Sequence, residues 1–487
     1  MNGDNLFYWF TGCVYAVAFF NCYKVIGSRM NSGSAIAWIL LNLTMPFIGI
    51  PLFILLGDFR IRGYVKKHRK RAQKLAAETK HNLPTLVPEP SEVPEAIRRT
   101  YRSFKEVFEH FGPVFYPQYS NIDLLMDGHQ TFDAIFDAIK KAEKYILVQY
   151  YIVRSDRMGI ELKKLLIEKA RSGVPVYMLL DDMGSFWLSK NYVRDLKNAG
   201  VHLARFLPIA NFKRFFQANF RNHRKLVVVD GVTAFTGGLN VGEEYAASRS
   251  KKSMKRYWRD THIKLTGGAA YQFEEVFLDD WYFATNHKIN LPDQDFPPLN
   301  ETETMPPVVQ VIPTGPTDKS LISILLIIHL INSANERLWI ATPYFVPDPA
   351  IIRALELAAF RGVDIKIMLP QESDNRFVHW VSISFAEQLR TRNIEVLLYQ
   401  PGFTHQKIIL VDDAISCIGT MNLDNRALYL NFETMAVIHS QSFAHRVKSM
   451  LEQDFLACRF VKKPSNTLKS KIFILRGNIA RLLAPML

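Results

Sequence analysis

Two short constellations in this chain are suited to phosphoester chemistry. The first is His223-Arg224-Lys225, followed by Asp230 and then Gly237-Gly238-Leu239-Asn240. The second is His405-Gln406-Lys407, followed by Asp412 and then Gly419-Thr420-Met421-Asn422, and the step from His to Asn is 17 residues in both copies. Short β-type runs, Leu226 to Val229 and Ile408 to Val411, come directly after each Lys. Residues two apart in an extended chain face the same side, so each HxK presents an imidazole and an ammonium together while its middle residue points away. A neutral imidazole, with an ordinary pKa of about 6.5, can attack phosphorus or move a proton, and an ammonium neutralises the non-bridging oxygens. Two such pairs facing each other make a complete site. One His attacks in line while the other protonates the leaving alkoxide and later deprotonates the incoming hydroxyl. Lys225, Lys407, Asn240 and Asn422 are then placed to hold the non-bridging oxygens through both steps.

One HxK on a strand is ordinarily a solvated surface pair; two copies in register, each with a glycine turn and an Asn, are not. Asp230 and Asp412 complete the motifs and are counted with the catalytic set. An Asp that closes a strand is often a turn residue, however, and a structural role is expected of both. A nucleophilic His also needs an acceptor on its second nitrogen, to fix the tautomer and stabilise the imidazolium. Two acids occupy comparable places, each opening the next apolar strand pattern after its motif: Asp260 in Trp258-Arg259-Asp260-Thr261-His262, and Glu433 in Asn431-Phe432-Glu433-Thr434. No carboxylate cluster of ligand spacing accompanies the motifs, so neither metal nor cofactor is expected.

The elements that must position these residues also repeat. Thr131 to Lys144 reads as a helix, Tyr145 to Val153 as a strand, then a helix ending at Arg171, then the strand Val174 to Leu180. The second half answers with a helix at Ser320 to Ala334, a strand at Leu338 to Val346, a helix at Ala350 to Phe360 and a strand at Val363 to Leu369. Alternating strands and helices with short glycine-ended turns predict an α/β fold with a parallel or mixed sheet in each half. The expected divisions are 1–57 as two membrane helices and 58–105 as a basic juxtamembrane segment and Pro-rich linker. Residues 106–295 and 296–460 form the two halves, and 461–487 form a basic amphipathic tail.

The 487 residues carry a net charge of +14 with 48% apolar content, which excludes a mainly disordered chain. Leu6 to Tyr23 and Gly33 to Gly57 hold no charged side chain, and both are expected to span a bilayer, the second kinked at Pro46 and Pro51. Residues 58 to 74 hold eight basic side chains against the single acid Asp58, which predicts a cytoplasmic body. The tail adds six basic residues and no acid, interleaved with Ile and Leu, as in an interfacial helix. These two segments account for all but one unit of the net charge. The near-neutral body argues against a nuclease, whose affinity rests on many phosphate contacts. Asn211 to Phe220, rich in Phe, Lys and Arg, is expected to dip into lipid headgroups. Four cysteines with no CxxC spacing suggest neither a disulfide framework nor a zinc site.

These residues resemble the phospholipase D superfamily and, within it, the bacterial cardiolipin synthases. The likeness extends over nearly the whole chain, including Tyr150-Tyr151-Ile152, Leu180-Asp181-Asp182-Met183-Gly184-Ser185 and Thr342-Pro343-Tyr344-Phe345-Val346-Pro347. It implies a duplicated, pseudo-twofold α/β sandwich, preceded by two transmembrane helices, with one site where the halves meet. It also implies a reaction joining two phosphatidylglycerols into cardiolipin and glycerol through a phosphatidyl-histidine, with His223 as nucleophile. The implied setting is a bacterial inner membrane rich in anionic lipid, with no nucleic acid and with self-association left open. Gly238 and Thr420 stand where relatives often carry Ser, and Thr404 where an apolar residue is usual. A phospholipase D that uses water as acceptor shares every motif, so the motifs alone leave transferase and hydrolase equivalent.

Overall fold

The computed structural model describes residues 3–27, 32–56, 88–112, 115–208, 219–246, 257–292, 306–318, 320–390, 392–461 and 477. The basic run after Gly57, almost all of the 461–487 tail and most of Asn211 to Phe220 lie outside the described residues. The N-terminal segment and the body form separate compact units.

In the N-terminal unit the first uncharged stretch is a single helix, α1 (Gly3–Ile26), and Phe7–Ile26 is long and apolar enough to cross a membrane. The second stretch is interrupted at one of the two expected prolines. It forms two shorter helices, α2 (Ser32–Thr44) and α3 (Pro46–Leu56), interrupted at Met45. Pro46 has no N–H and pushes its predecessor out of helical backbone, which accounts for the break there; Pro51 is accommodated inside α3. The helices pack together through a buried Asn21–Asn42 amide hydrogen bond of 3.1 Å and a stacked Phe10–Phe47 pair.

The body begins with α4 (Glu95–Phe108), which straddles the boundary expected at 105/106. Pro94 precedes its first turn, and Ile97, Tyr101, Phe104 and Phe108 recur at helical spacing. Phe104 and Phe108 join the core of the second half.

The first half then runs β1 (Gln118–Met126), α5 (Asp127–Lys141), β2 (Ile146–Tyr150), α6 (Arg157–Arg171), β3 (Val176–Asp181), α7 (Lys190–Asn198), β4 (His202–Phe206), β5 (Arg221–Asn222), β6 (Leu226–Val229), β7 (Thr233–Gly237), β8 (Trp258–Arg259), β9 (Thr261–Gly267) and α8 (Gly268–Thr285). The second half repeats it with β10 (Val308–Thr314), α9 (Ile322–Ser333), β11 (Arg337–Ala341), α10 (Pro349–Phe360), β12 (Asp364–Pro370), α11 (Arg376–Arg390), β13 (Glu395–Tyr399), β14 (Phe403–Thr404), β15 (Ile408–Val411), β16 (Ile415–Gly419), α12 (Asn425–Tyr429), β17 (Asn431–His439), α13 (Gln441–Leu456) and β18 (Cys458–Phe460). The helices and strands predicted for the two halves are present. Strands expected to reach Val153 and Val346 end at Tyr150 and Ala341, where the chain leaves the sheet and keeps only isolated bridges from Val153 to Val241 and from Phe345 to Leu423.

The sheet order makes the duplication explicit: β18-β13-β12-β11-β15-β16-β17-β10, then β1-β9-β7-β6-β2-β3-β4. Apart from β18, each half reads the same way outward from the β10–β1 contact. Within each half the strand after the first helix pairs in parallel with the next crossover strand and antiparallel with the motif strand, as β2 does with β3 and β6, and β11 with β12 and β15. Each half has its own apolar core. Two further pairings tie the halves together: β5 runs parallel to β17, and β14 runs parallel to β8.

Candidate active site

Those two cross-half pairings decide the geometry of the site. β5 ends immediately before His223, and its partner β17 carries Glu433. β14 ends immediately before His405, and its partner β8 ends immediately before Asp260. The register continues into the histidines, for the His223 N–H donates to Phe432 O at 2.9 Å and the His405 N–H to Arg259 O at 2.8 Å. Each imidazole is thereby laid against the acid of the other half. His223 Nδ1 lies 2.9 and 3.0 Å from the two oxygens of Glu433, and His405 Nδ1 lies 2.7 Å from Asp260 Oδ2. With Nδ1–H donated to a carboxylate, Nε2 of each ring carries the lone pair.

The two carboxylates are not equally supported. Glu433 also accepts from the Thr420 hydroxyl at 2.6 Å and from Asn431 Nδ2 at 3.1 Å. Asp260 accepts, besides His405, the Thr261 backbone N–H at 2.8 Å. Gly238 stands where Thr420 stands in the second half, and a Cβ there would lie 2.0 Å from Asp260 Oδ1. The missing hydroxyl in the first half is therefore a matter of space. Burial raises the Asp260 carboxyl to about 6, against the pull of Lys407. Burial also raises Glu433, but His223 and Lys225 outweigh it and hold the acid below its ordinary value. Burial, helped by the two lysines, pushes His223 down to about 4 and His405 well below its usual range.

Lys225 and Lys407 are 0% and 2% exposed, which is rare for an ammonium. Each donates to the carbonyl of its own histidine, at 2.7 and 2.5 Å. Among the described residues neither has a carboxylate within ion-pair distance. Two buried cations of this kind make a receptor for an anion. Burial lowers Lys225 to about 7 and Lys407 to about 8.

Aromatic rings wall both imidazoles: Tyr151 lies edge-on to His223 at 5.0 Å, and Trp258, Phe403 and Tyr245 lie 5.2, 5.7 and 5.9 Å from His405. The middle residues of the HxK triplets point to the opposite side, as strand alternation requires, and are buried too. Arg224 binds Asp280 of α8 at 2.7 Å, and Gln406 binds Asp454 of α13 at 3.1 Å. The sequence reading gives no site role to these anchors or to the aromatic walls, although Tyr151 and Trp258 fall within the quoted motifs and the alternation of Arg224 and Gln406 away from the histidines is a usable signal.

Asn240 and Asn422 are buried, but each has one amide N–H committed, to the Tyr245 hydroxyl at 2.7 Å and to Asp424 Oδ2 at 3.2 Å. Asp230 and Asp412 are not with the histidines. They lie at the far ends of β6 and β15, about 15 Å along the strand from the lysines. Their carboxylates accept backbone N–H groups leading into β2 and β11, from Lys144 and Tyr145 at 2.7 and 2.9 Å and from Glu336 and Arg337 at 2.9 and 2.8 Å. These contacts are the structural role that their position at the end of a strand suggests.

A family described as cardiolipin synthase, phospholipase D-like domain, matches residues 135–281 and 327–455, the two halves just described. The chain is also 36% identical over 480 residues to cardiolipin synthase A of Pseudomonas putida strain W619, covering 98% of this chain and 97% of that one. It belongs to the cardiolipin synthase family. Cardiolipin synthase A of Pseudomonas aeruginosa strain LESB58 is 38% identical over 471 residues, 96% of this chain and 93% of that relative. The fold is shared with a phosphatidylserine synthase from Haemophilus influenzae, with a TM-score of 0.60 at 16% identity, covering 81% of this chain and all of that one.

For this cardiolipin synthase family member the two depressed lysines carry a pH expectation. Their folded-state pKa values lie below the ordinary value of 10.5, so positive charge is lost as pH rises through about 7 to 8. Binding an anion favours the charged form and moves both values back up. kcat/KM, which reports the free enzyme, should therefore fall on the alkaline side at lower pH than kcat does. Parallel pH profiles of the two constants test this, and coincident alkaline limbs would contradict it.

Proposed function

We propose that this site transfers a phosphatidyl group from one phosphatidylglycerol to the glycerol hydroxyl of another, giving cardiolipin and glycerol through a phosphohistidine. The observation that carries the reading is the crossed pair of imidazole–carboxylate contacts beside two buried ammoniums with no ion-pair partner among the described residues. His223 Nε2 attacks phosphorus, forming the P–N bond as the P–O bond to glycerol breaks. His405 gives its Nε2 proton to the departing alkoxide. The phosphodiester anion counters the lysine charge that depresses His405, so the imidazole takes up that proton as substrate binds. The hydroxyl of a second phosphatidylglycerol then returns a proton to His405 and attacks phosphorus, and His223 leaves as neutral imidazole. Lys225, Lys407 and the uncommitted amide N–H of Asn240 and Asn422 hold the non-bridging oxygens.

The unequal carboxylates support the assignment of roles. A phosphoimidazolium needs a firmly ionised acid on Nδ1, and Glu433, with its three donors and lowered pKa, serves His223. Asp260, raised to about 6, serves the ring that only shuttles a proton. The α1 helix, with α2 and α3 folded beside it, anchors the chain in a bacterial inner membrane, and the basic run after Gly57 sets the body on the cytoplasmic side.

Reconstituting the full-length protein with phosphatidylglycerol and identifying the lipid products by mass spectrometry tests the reading. Cardiolipin with one glycerol released per turnover is expected. Phosphatidic acid as the main product would make the enzyme a hydrolase, and release of the protein from membranes by alkaline washing would reject the anchor.

A further inference from the structure

The turn after β3 carries an aromatic tip that nothing in the reaction uses. Trp187 is 84% exposed and Phe186 60%, their rings in edge-on contact at 5.2 Å. The base of this turn is firmly tied down. Asp181 Oδ1 accepts the N–H groups of Met183 and Gly184 at 3.0 and 2.9 Å, and the buried Ser185 hydroxyl donates to Tyr151 O at 2.9 Å while accepting the Val153 N–H at 3.1 Å. Gly184 lies so close to Tyr151 that a Cβ would fall 2.3 Å from its carbonyl oxygen. Two of these ties lead to His223: the Tyr151 ring packs on its imidazole, and Asp181 Oδ2 accepts the N–H of the preceding residue, Asn222, at 2.9 Å. The tip is therefore fixed in position relative to the nucleophile.

Immediately after the tip, α7 turns three exposed cations to one face, Lys190, Arg194 and Lys197, at i, i+4 and i+7, while Tyr192 and Leu196 face inward. In the second half the corresponding turn after β12 runs Gln371-Glu372-Ser373-Asp374-Asn375 and opens α11 with the exposed Arg376 and with Phe377, which packs toward Val346 and Val381 and so presents no exposed aromatic tip. Trp and Phe beside a cationic face match the interfacial zone of a membrane, where indole and phenyl rings sit among headgroups and Lys and Arg meet anionic lipid.

We propose that Phe186 and Trp187 insert into the anionic bilayer surface and hold the His223 side of the site against it, with Lys190, Arg194 and Lys197 on the headgroups. The rings lose little conformational freedom on insertion because the turn is already bound at its base. The proposal rests on the reading that the substrate is a membrane phospholipid. It deepens that reading by giving the first half a direct hold on the lipid surface that supplies the substrate.

Two measurements on the full-length protein test it. In lipid nanodiscs containing phosphatidylglycerol, the Trp187 fluorescence component, taken as wild type minus Trp187→Phe, should be quenched by brominated acyl chains. Quenching by aqueous iodide instead would overturn the proposal, and so would insensitivity to both quenchers, which would place the ring against protein, such as a second copy of this chain. The double variant Phe186→Ser/Trp187→Ser should lose about tenfold or more of transfer on long-chain phosphatidylglycerol in vesicles. On dihexanoyl-phosphatidylglycerol below its micelle concentration it should stay within about twofold of wild type. Equal losses on both lipids would mean damage to the site and reject the interfacial role. Absence of transfer by wild type on either lipid would reject the reaction, while the quenching result would still report on the tip.

Discussion

His223→Ala and His405→Ala each abolish measurable transfer, a loss of roughly 10⁴-fold or more, because each removes a group that makes or breaks bonds in both half-reactions. Two histidines on separate strands of separate halves acting as one site is what the crossed contacts require. The two variants part company when the leaving group no longer needs a proton. With a phosphatidyl p-nitrophenyl ester as donor, His405→Ala should still form the phosphohistidine and release one equivalent of p-nitrophenol, since the phenolate leaves unaided. His223→Ala should give no burst. Peptide mapping of the trapped, labelled enzyme then places the phosphorus on the peptide that contains His223. A burst from His223→Ala, with label at His405, would reverse the two roles while leaving the geometry intact.

The second large effect is expected at the acids, and it should appear in the half that does not contain the mutation. In Glu433→Gln the amide can donate to Nδ1 of His223, which moves the ring proton to Nε2 and removes the lone pair that attacks phosphorus. A loss of roughly 10³-fold in formation of the covalent adduct follows, larger than electrostatics alone would give. Asp260→Asn acts on His405 and should slow transfer of a poor leaving group by roughly 10²-fold, with little effect on the p-nitrophenyl donor. Single-turnover rates of adduct formation with the two donors separate these outcomes. If Asp260→Asn slowed the activated donor while Glu433→Gln did not, the pairing of acids with roles would be wrong. Circular dichroism and thermal unfolding of both variants show whether the buried polar groups left without partners have disturbed the fold.

Which of these features could be read from sequence follows from how local their physics is. The two His–Lys pairs depend on strand alternation over three residues, and the helices and strands around them on periodicities of 3.6 and 2, all visible in a single chain. The acids could be named because each opens an apolar strand after its motif. Which acid meets which histidine could not, since that rests on β5–β17 and β8–β14, pairings only two residues long between segments far apart in the chain and without any signature of length or composition. Asp230 and Asp412 belong to the motif in sequence and leave the site in space because a four-residue strand separates them from it. The helix from Glu95 to Phe108 was obscured by the prolines before it, although Ile97, Tyr101, Phe104 and Phe108 already had helical spacing. In the second apolar segment both prolines are visible in the sequence, but only Pro46 interrupts the helix, while Pro51 is accommodated within it.

The crossing of the acids also governs when the chemistry becomes available as the chain is made. A nascent chain exposed as far as α8 contains His223, Lys225 and Asp260, yet holds neither of the two crossed imidazole–carboxylate contacts, because Glu433 lies 210 positions beyond His223 and His405 also follows α8. His405, when it emerges, can join Asp260 in a first-half segment already present, but His223 must wait for β17. His223 is thus the last of the two imidazoles to gain its acid. On the proposed mechanism, reactivity begins only when the end of the body has closed onto its beginning, and an incompletely synthesised chain is inert.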